Sequence, residues 1–243
     1  AEKGKILETV ELANMCIYTA GSAELEMKSL LALGQQLGVN QTDKSTRHAQ
    51  SDELTDSGIL NRAIPFSTRH CNWHTDATYY GSDKTIQALF LLCKRPAVEG
   101  GSNKVLDHEV LYIHLRDKAP GALEVLMNKD CFNYRNPATG EIDMGLGGKV
   151  FWTNADGYLC HRFSFRKTDM AWSEDTDVVA ARKVLESLIS GESEHVIEGR
   201  LESGMGLVSN NVLHTREKLV DSDDAASKRL LFRARFYDRV NPE

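Results

Sequence analysis

Two histidines and one aspartate are the residues of this sequence best suited to binding a redox metal. His74 and Asp76 belong to the segment Asn72–Asp76, and His214 ends the segment Asn210–His214. Two imidazoles and one carboxylate leave coordination positions open, which suits a non-haem Fe(II) ion that must bind oxygen. Because side chains alternate along a β-strand, residues 74 and 76 are expected to point the same way. The hypothesis is a single iron site built from residues far apart in the chain.

The short His-x-Asp motif gains its weight from context. With 8 histidines and 35 acidic residues in 243 positions, about one such triplet is expected by chance. The motif follows an apolar strand candidate, Ile59–Phe66, and the later histidine follows a glycine-rich turn and a short apolar strand. Without that order, two core histidines and a surface acid would be the simpler interpretation.

A competing metal set contains His70, Cys71, His74 and Cys93 as zinc ligands. Structural zinc sites usually use paired Cys-x-x-Cys elements, which this set lacks. Adjacent residues 70 and 71 also point to opposite faces of a strand. The zinc interpretation is therefore disfavoured.

Composition indicates an ordinary globular chain that acts on small molecules. The 243 residues are 41% hydrophobic and 26% charged, which fits one domain over residues 1–243. Within it we expect a helical N-terminal part, 1–58, and a core with helical inserts, 59–243. A net charge of −6 without a Lys/Arg block gives no basic surface for nucleic acid.

Cysteine usage and hydropathy favour a cytoplasmic setting. The five cysteines, an odd number at irregular spacing, do not resemble a disulfide framework. No apolar run reaches membrane-spanning length and no secretion signal is recognisable, so no membrane partner is expected. A homo-oligomer is compatible with the sequence.

Hydrophobic periodicity predicts helices, strands and a helical insertion between them. Helices are expected at 8–17, 22–37, 107–117, 120–128 and 175–190, with Ser22 and Asp107 as N-caps, and a polar loop at 40–58. Strands are expected at 59–66, 71–80, 85–93, 150–153, 158–165, 194–200, 206–213 and 228–239. This order favours an α+β, mainly β protein built on a sandwich or jelly roll, in which residues 74 and 214 can meet.

The motifs from about Ile59 onward, taken in order, resemble one family. They are Trp73–Asp76, Arg95–Pro96 with Gly100–Gly101, Asn210–His214 and Arg229–Arg233. Together they are similar to the Fe(II)/2-oxoglutarate-dependent dioxygenases of the taurine dioxygenase (TauD/TfdA, clavaminate synthase-like) group. The resemblance implies a double-stranded β-helix (jelly roll) core with flanking helices, and Fe(II) held by His74, Asp76 and His214. It also implies that 2-oxoglutarate is held by the C-terminal arginines and that O2 is the oxidant.

The C-terminal arginines suit a keto diacid. Arg229 and Arg233 share a face if both lie on one strand, and a guanidinium matches a carboxylate with two parallel hydrogen bonds. The resemblance implies that Arg233 grips the distal C5 carboxylate and that Arg229 lies near the metal-bound end, although the two roles can be exchanged. Arg235 would lie on the same strand face and therefore competes for these roles, although the simpler interpretation is that it pairs with an acidic neighbour on the sheet surface. Asn103 stands where the family often has a threonine, and its amide can still contact 2-oxoglutarate.

The implied reaction is hydroxylation of an unactivated C–H bond with release of succinate and CO2. Halogenating relatives replace the carboxylate ligand with a small residue, whereas this chain retains Asp76. The expected substrate is small, with an acidic or amino-acid-like compound as the candidate. Tyr79 and Arg162 are candidate contacts, although a strand tyrosine is more often a packing residue and an isolated strand arginine more often a surface charge. Two alternatives are a non-catalytic jelly-roll binding or scaffold protein, and an oxygenase acting on a carrier- or protein-tethered substrate.

Overall fold

A computed structural model describes residues 2–21, 25–43, 53–56, 64–81, 84–136, 139–166, 170–191 and 193–241. These residues form five α-helices: α1 (Glu2–Ala13), α2 (Met27–Gln36), α3 (His108–Lys118), α4 (Pro120–Asn128) and α5 (Thr176–Ser190). Ile64–Phe66 and Ala225–Ser227 form short 3-10 turns. None of the helices in the described ranges is long and apolar enough to cross a bilayer.

Strands outnumber helices, in agreement with the expected mainly β class. They are β1 (Met15–Thr19), β2 (Glu53–Leu54), β3 (Cys71–His74), β4 (Ala88–Arg95), β5 (Glu99–Gly100), β6 (Asn103–Leu106), β7 (Phe132–Arg135), β8 (Ile142–Gly148), β9 (Phe151–Thr153), β10 (Leu159–His161), β11 (Met170–Trp172), β12 (Ile197–Gly199), β13 (Met205–Ser209), β14 (Leu213–Arg216), β15 (Leu219–Val220) and β16 (Leu230–Phe236).

One compact unit comprises Ala1–Cys71, Ile86–Lys104 and Glu198–Glu243. Its five-stranded sheet has the order β1-β13-β4-β16-β2 with antiparallel pairing. The central strand β4 is apolar on both faces, as a strand covered on both sides must be, and Phe90 on it contacts Phe236 of β16. Helix α2 packs against β16, where Gly34 leaves room for the Phe236 ring, since a Cβ at Gly34 would lie 2.7 Å from its Cζ.

The second compact unit comprises Asn72–Thr85 and Val105–Ile197. It contains the three-stranded sheet β11-β7-β8, the hairpin β9-β10, and helices α3, α4 and α5. Asp107 caps α3 by accepting a bond from the Glu109 N–H at 2.9 Å, as predicted. Asp175 caps α5 in the same way through the N–H groups of Asp177 and Val178. The prediction of one domain over residues 1–243 stays a prediction.

A four-stranded sheet has the order β12-β6-β14-β3. Its β14 and β3 are neighbours although they are far apart in sequence, and Thr215 Oγ1 donates to the Cys71 carbonyl. Strands β5 and β15 form a separate antiparallel pair in which Gly100 lies opposite Leu219.

Five local predictions are wrong or lie beyond the described residues. The helix expected at 8–17 ends at Ala13, because Asn14 adopts a left-handed φ of 54° and β1 follows. The strand expected at 71–80 ends at His74, and residues 64–66 form a 3-10 turn instead of a strand. Within the loop expected at 40–58, Glu53–Leu54 form β2. The helix predicted at 22–37 with Ser22 as its N-cap begins only at Met27, with Glu26 at the N-cap position. Ser22, residues 59–63 and most of 40–58 fall outside the described ranges.

Candidate metal centre

His74 ends β3, and its ring is oriented by the backbone. Its Nδ1 lies 2.8 Å from the Asn72 carbonyl, and the side chain is buried. A carbonyl oxygen only accepts hydrogen bonds, so Nδ1 must carry the proton and the lone pair of the neutral ring lies on Nε2. The ring is therefore prepared to bind a cation through Nε2.

His214 lies on β14, and a backbone carbonyl orients its ring in the same way. Its Nδ1 is 2.9 Å from the Val212 carbonyl, which again assigns the proton to Nδ1 and the lone pair to Nε2. The turn before this strand is held by two buried asparagine amides. Asn210 Nδ2 donates to Asn14 Oδ1 at 3.1 Å, and Asn211 Nδ2 donates to the Ile86 carbonyl at 2.9 Å.

Asn210 and Asn211 hold the turn before His214, and the sequence alone assigned them no role. Asn211 has a φ of 48°, a left-handed conformation that asparagine tolerates better than most residues. The consecutive Asn-Asn pair directly before the apolar Val212–Leu213 was the available signal for a tight turn. The turn fixes where β14 begins and hence where His214 lies.

Asp76 reaches the site from a turn, which corrects the argument from strand alternation. Thr75 ends the pairing of β3: its N–H donates to the Phe163 carbonyl at 2.9 Å, and its Oγ1 accepts from the Phe163 N–H at 3.2 Å. Ala77 then has a left-handed φ of 59°, and the Tyr80 N–H donates to the Ala77 carbonyl at 3.0 Å. The sharp turn, rather than an extended strand, brings the carboxylate beside His74.

The three side chains converge on a volume that suits one metal ion. One ligand atom from each of His74, Asp76 and His214 lies within 4.8 Å of the other two. His74 Nε2 and Asp76 Oδ1 are 3.6 Å apart, too long for a hydrogen bond but short enough for both to contact one ion at about 2.0–2.2 Å. Two imidazole nitrogens and one carboxylate oxygen fit Fe(II) with positions left open. In the described part of the chain, the alternative zinc set of His70, Cys71, His74 and Cys93 does not assemble.

Arg229 and Asn103 line one small cavity. The other lining residues are Pro96, Ala97, Gly100, Gly101, Arg200, Leu201 and Leu231. Gly100 has a φ of 69°, and a Cβ there would collide with the Lys218 carbonyl, so the close approach of β5 and β15 requires glycine. Asn103 Nδ2 donates to the Gly101 carbonyl at 3.3 Å, which fixes its amide at the edge of this cavity.

Arg229 is a buried cation beside a second buried cation. Among the described residues, its side chain donates one long bond of 3.4 Å, to the Leu54 carbonyl, while its backbone N–H donates to Asp221 Oδ1 at 2.6 Å. Burial lowers the pKa of Arg229 to about 10, and repulsion from the neighbouring Arg216 cation is the second cause. Arg216 itself donates to the carbonyls of Ser67 and Arg69. An anion bound at Arg229 would offset the cost of burying these two charges.

Arg233 and Arg235 lie on β16 and are both buried. Arg235 Nη2 pairs with Asp43 Oδ2 at 2.7 Å, so the expected acidic partner is present, in the interior instead of on the sheet surface. Arg229 precedes the strand, so strand alternation does not place it with Arg233. The place where Arg229 can act is therefore given by the cavity that it lines and not by its position in the alternation of a strand.

The two candidate substrate residues occupy different environments. The Tyr79 side chain is 36% exposed and makes edge-to-face contacts with Tyr80 and Tyr134, with ring centroids 4.7 and 6.1 Å apart. Arg162 is 1% exposed and donates to two backbone carbonyls. Tyr79 is thus open to a ligand, whereas Arg162 is engaged within the protein.

A set of two histidines and one aspartate, carried by a mainly β frame, is typical of mononuclear non-haem iron enzymes. Residues 21–235 match the sequence profile of the taurine catabolism dioxygenase TauD, TfdA family, and the chain belongs to that family. Membership confirms the predicted class, a non-haem Fe(II)- and 2-oxoglutarate-dependent dioxygenase.

One curated relative and several solved structures resemble this chain. The chain is 26% identical over 220 residues to a uridine-5′-phosphate dioxygenase of Streptomyces sp, covering 85% of this chain and 78% of the relative. The non-haem iron oxygenase OrfP in complex with Fe and α-ketoglutaric acid superposes with a TM-score of 0.70 at 14% identity, covering 98% of this chain and 79% of that one. Asparagine oxygenase in complex with Fe(II), 3-hydroxyasparagine and succinate gives a TM-score of 0.63 at 10% identity, covering 97% and 77%. The solved structures confirm the mainly β fold class and are consistent with the jelly roll.

Proposed function

We propose that this dioxygenase binds Fe(II) through His74 Nε2, Asp76 and His214 Nε2, and oxidises a C–H bond of a small anionic substrate. The observation that carries the proposal is the convergence of three ligand atoms within 4.8 Å of one another, with both imidazoles set in the same tautomer. When bound, the iron supplies the redox chemistry that couples decarboxylation of 2-oxoglutarate to oxidation of the substrate.

The protein contributes fixed geometry to this chemistry. The backbone carbonyls of Asn72 and Val212 orient both rings before the metal arrives, so little reorganisation accompanies binding. Thr75 and the turn after it hold the carboxylate of Asp76 beside the first ring. A site arranged in advance binds its ligands more tightly, because the ordering cost has been met during folding.

We assign the distal carboxylate of 2-oxoglutarate to Arg229 instead of Arg233, which exchanges the roles first expected. Arg229 and Asn103 line the same cavity, where a guanidinium and an amide can both donate to one carboxylate. Burial and the neighbouring Arg216 make the Arg229 cation costly unless an anion compensates it. Arg235 is already paired with Asp43, which removes it from the candidates.

For the substrate, a small molecule with an anionic group fits best. With Arg229 given to 2-oxoglutarate, we assign the anionic group of the substrate to Arg233, the next buried arginine along the chain. One relative is a dioxygenase of uridine 5′-phosphate, and the asparagine oxygenase that superposes on this chain is in complex with a hydroxylated asparagine; both compounds carry an anionic group. Tyr79, whose side chain is 36% exposed, stays a candidate substrate contact. We further propose a reducing, cytoplasmic setting, which the odd number and irregular spacing of the five cysteines favour.

The test begins with anaerobic addition of Fe(II) and 2-oxoglutarate, which should give the weak visible charge-transfer band of the chelate. Succinate release is then measured with nucleoside 5′-phosphates, the same nucleosides without phosphate, and amino acids. An anionic compound should stimulate release while its uncharged counterpart does not. Absence of the band, or iron binding that survives removal of His214, would contradict the assignment. The non-catalytic alternative predicts no succinate with any compound.

A further inference from the structure

Arg162 directly follows β10 and is among the most deeply buried side chains of the protein. It is 1% exposed, and its backbone N–H donates to the Val150 carbonyl at 2.9 Å, which fixes where the side chain begins. The guanidinium carbon lies 4.8 Å from the centroid of the Phe132 ring, a cation–π contact. Among the described residues, no carboxylate pairs with it.

The guanidinium connects two backbone segments. Nη1 donates to the carbonyl of Tyr80, and Nη2 donates to the carbonyl of Gly147 on β8 at 2.7 Å. A glycine follows at 148, where a Cβ would lie 3.2 Å from Nη2, so the glycine-rich end of β8 leaves the space that the guanidinium occupies. Each terminal nitrogen thus donates to a protein acceptor, and a side chain that is 1% exposed presents almost no surface to a substrate anion.

The Tyr80 carbonyl is at the end of the turn that carries Asp76. The beginning of the same turn is held by Phe163, whose backbone exchanges hydrogen bonds with Thr75. Two consecutive residues, Arg162 and Phe163, therefore hold the two ends of the turn. Between these fixed ends the chain passes through the left-handed Ala77, a conformation that costs energy and persists only where its surroundings enforce it.

Burying a cation that pairs with no carboxylate of the described residues costs desolvation free energy. Hydrogen bonds from the Arg162 guanidinium to backbone carbonyls must offset that cost. Burial lowers the pKa of Arg162 to about 10, which leaves it charged at neutral pH. Hydrogen bonds from a charged donor to a carbonyl are stronger than those from a neutral donor. A planar fork also reaches two carbonyls at once, which a lysine or a neutral amide cannot do with the same geometry.

We propose that Arg162 is a positioning residue that holds the 76–80 turn and thereby places the Asp76 carboxylate for the metal. This inference rests on the proposed function, in which Asp76 is a metal ligand. It assigns Arg162 to the support of the metal site instead of to the substrate. Partners behind a metal ligand typically change metal affinity about 10- to 100-fold when they are removed.

The experiment compares Arg162→Met, Arg162→Lys and the control Arg182→Met. Arg182 lies in the same compact unit and also covers an aromatic ring, 4.9 Å from the Trp172 centroid, but pairs with Glu186 on α5. Two quantities are measured: amide hydrogen exchange of a peptide spanning residues 74–81 in the metal-free protein, and Fe(II) affinity by anaerobic titration. The KM for 2-oxoglutarate serves as a further readout.

In Arg162→Met we expect faster exchange in the 74–81 peptide, unchanged exchange in α5, and Fe(II) affinity lowered about 10- to 100-fold with little change in the KM for 2-oxoglutarate. Arg162→Lys should restore part of the affinity, and Arg182→Met should behave as the wild type. If Arg162→Met does not fold, Arg162→Lys decides by the same readouts. Unchanged exchange and Fe(II) affinity in both Arg162 variants overturn the proposal. A wild-type protein that binds no Fe(II) overturns the proposed function, whereas the exchange data then still decide whether Arg162 holds the turn.

Discussion

His74 and His214 are oriented by the same hydrogen bond: in each, Nδ1 donates to the carbonyl two residues earlier, at 2.8 and 2.9 Å. The two rings come from strands that are neighbours in one sheet, so the same local geometry presents two Nε2 lone pairs side by side. The tautomer is therefore set by the main chain. Side-chain substitutions at the carbonyl-bearing positions should leave it intact.

Because backbone carbonyls orient the rings, Fe(II) binding should depend strongly on the two histidines and weakly on the side chain of Asn72. His74→Ala and His214→Ala should lose Fe(II) binding and succinate formation, because either change leaves two ligands. Asn72→Ala should keep Fe(II) affinity within about threefold, since the carbonyl that orients His74 remains. Anaerobic Fe(II) titration checks all three variants. Loss of iron in Asn72→Ala equal to that in His74→Ala would show that the side chain, not the backbone, orients the ring.

The assignment of 2-oxoglutarate to Arg229 predicts a separation of kinetic constants. Arg229→Lys keeps the charge but loses the bidentate fork, so the KM for 2-oxoglutarate should rise about tenfold or more. The matched change Arg233→Lys should leave that KM within about threefold and raise the KM of the substrate. Initial rates of succinate formation give both constants. A large effect on 2-oxoglutarate from Arg233→Lys alone would reverse the assignment.

Helices and strands with a strong hydrophobic period were predictable from the sequence. The positions of the Asp76 carboxylate and of the Arg229 cavity were not. The apolar run of β4 and the capped helix from Asp107 have local causes, and both were predicted within a few residues. The position of Asp76 depends on Ala77, an ordinary residue in a left-handed conformation that no local signal in the sequence indicates. The cavity of Arg229 depends on pairing between β5 and β15, which joins segments far apart in the chain.

The left-handed Ala77 gives a prediction of its own. Ala77→Gly should preserve Fe(II) affinity, because glycine adopts a positive φ without steric cost. Ala77→Val should weaken Fe(II) binding and lower the melting temperature, since a β-branched residue is strongly disfavoured at this φ and the site is buried. Anaerobic titration and thermal unfolding measure the two effects. Equal affinity in both variants would mean that the turn does not place Asp76.

The buried ion pair between Arg235 and Asp43 is expected to matter for stability and not for chemistry. Asp43→Asn removes one charge and leaves Arg235 in the interior, which should cost about 3–5 kcal/mol of the free energy of unfolding. The double variant Asp43→Leu with Arg235→Met should recover much of that loss, because neither charge remains. Urea unfolding gives the comparison. A double variant as unstable as the single one would indicate that Tyr237, which donates to Asp43 at 3.0 Å, depends on the carboxylate.

The five thiols should differ in reactivity and in their pH response. Cys16 is partly exposed, and Cys71, Cys93, Cys131 and Cys160 are buried. Burial raises the pKa of Cys93 and of Cys131 to about 11, above the ordinary value of 9.0, so both stay protonated in the folded protein while the unfolded chain ionises. Their effect on the free energy of unfolding is absent below about pH 9, and the folded state loses stability as pH rises from there towards 11.

In native protein at pH 8, an alkylating reagent should therefore modify Cys16 first, and Cys16→Ser should remove this fast phase. Raising the pH to about 9.5 should not make Cys93 or Cys131 reactive, because the thiolate is the nucleophile and their native pKa is about 11. All five should react in urea. Mass spectrometry of the alkylated peptides checks each site. Rapid native modification of Cys93, in the central strand of the five-stranded sheet, would require that strand to open, which its burial on both faces makes costly.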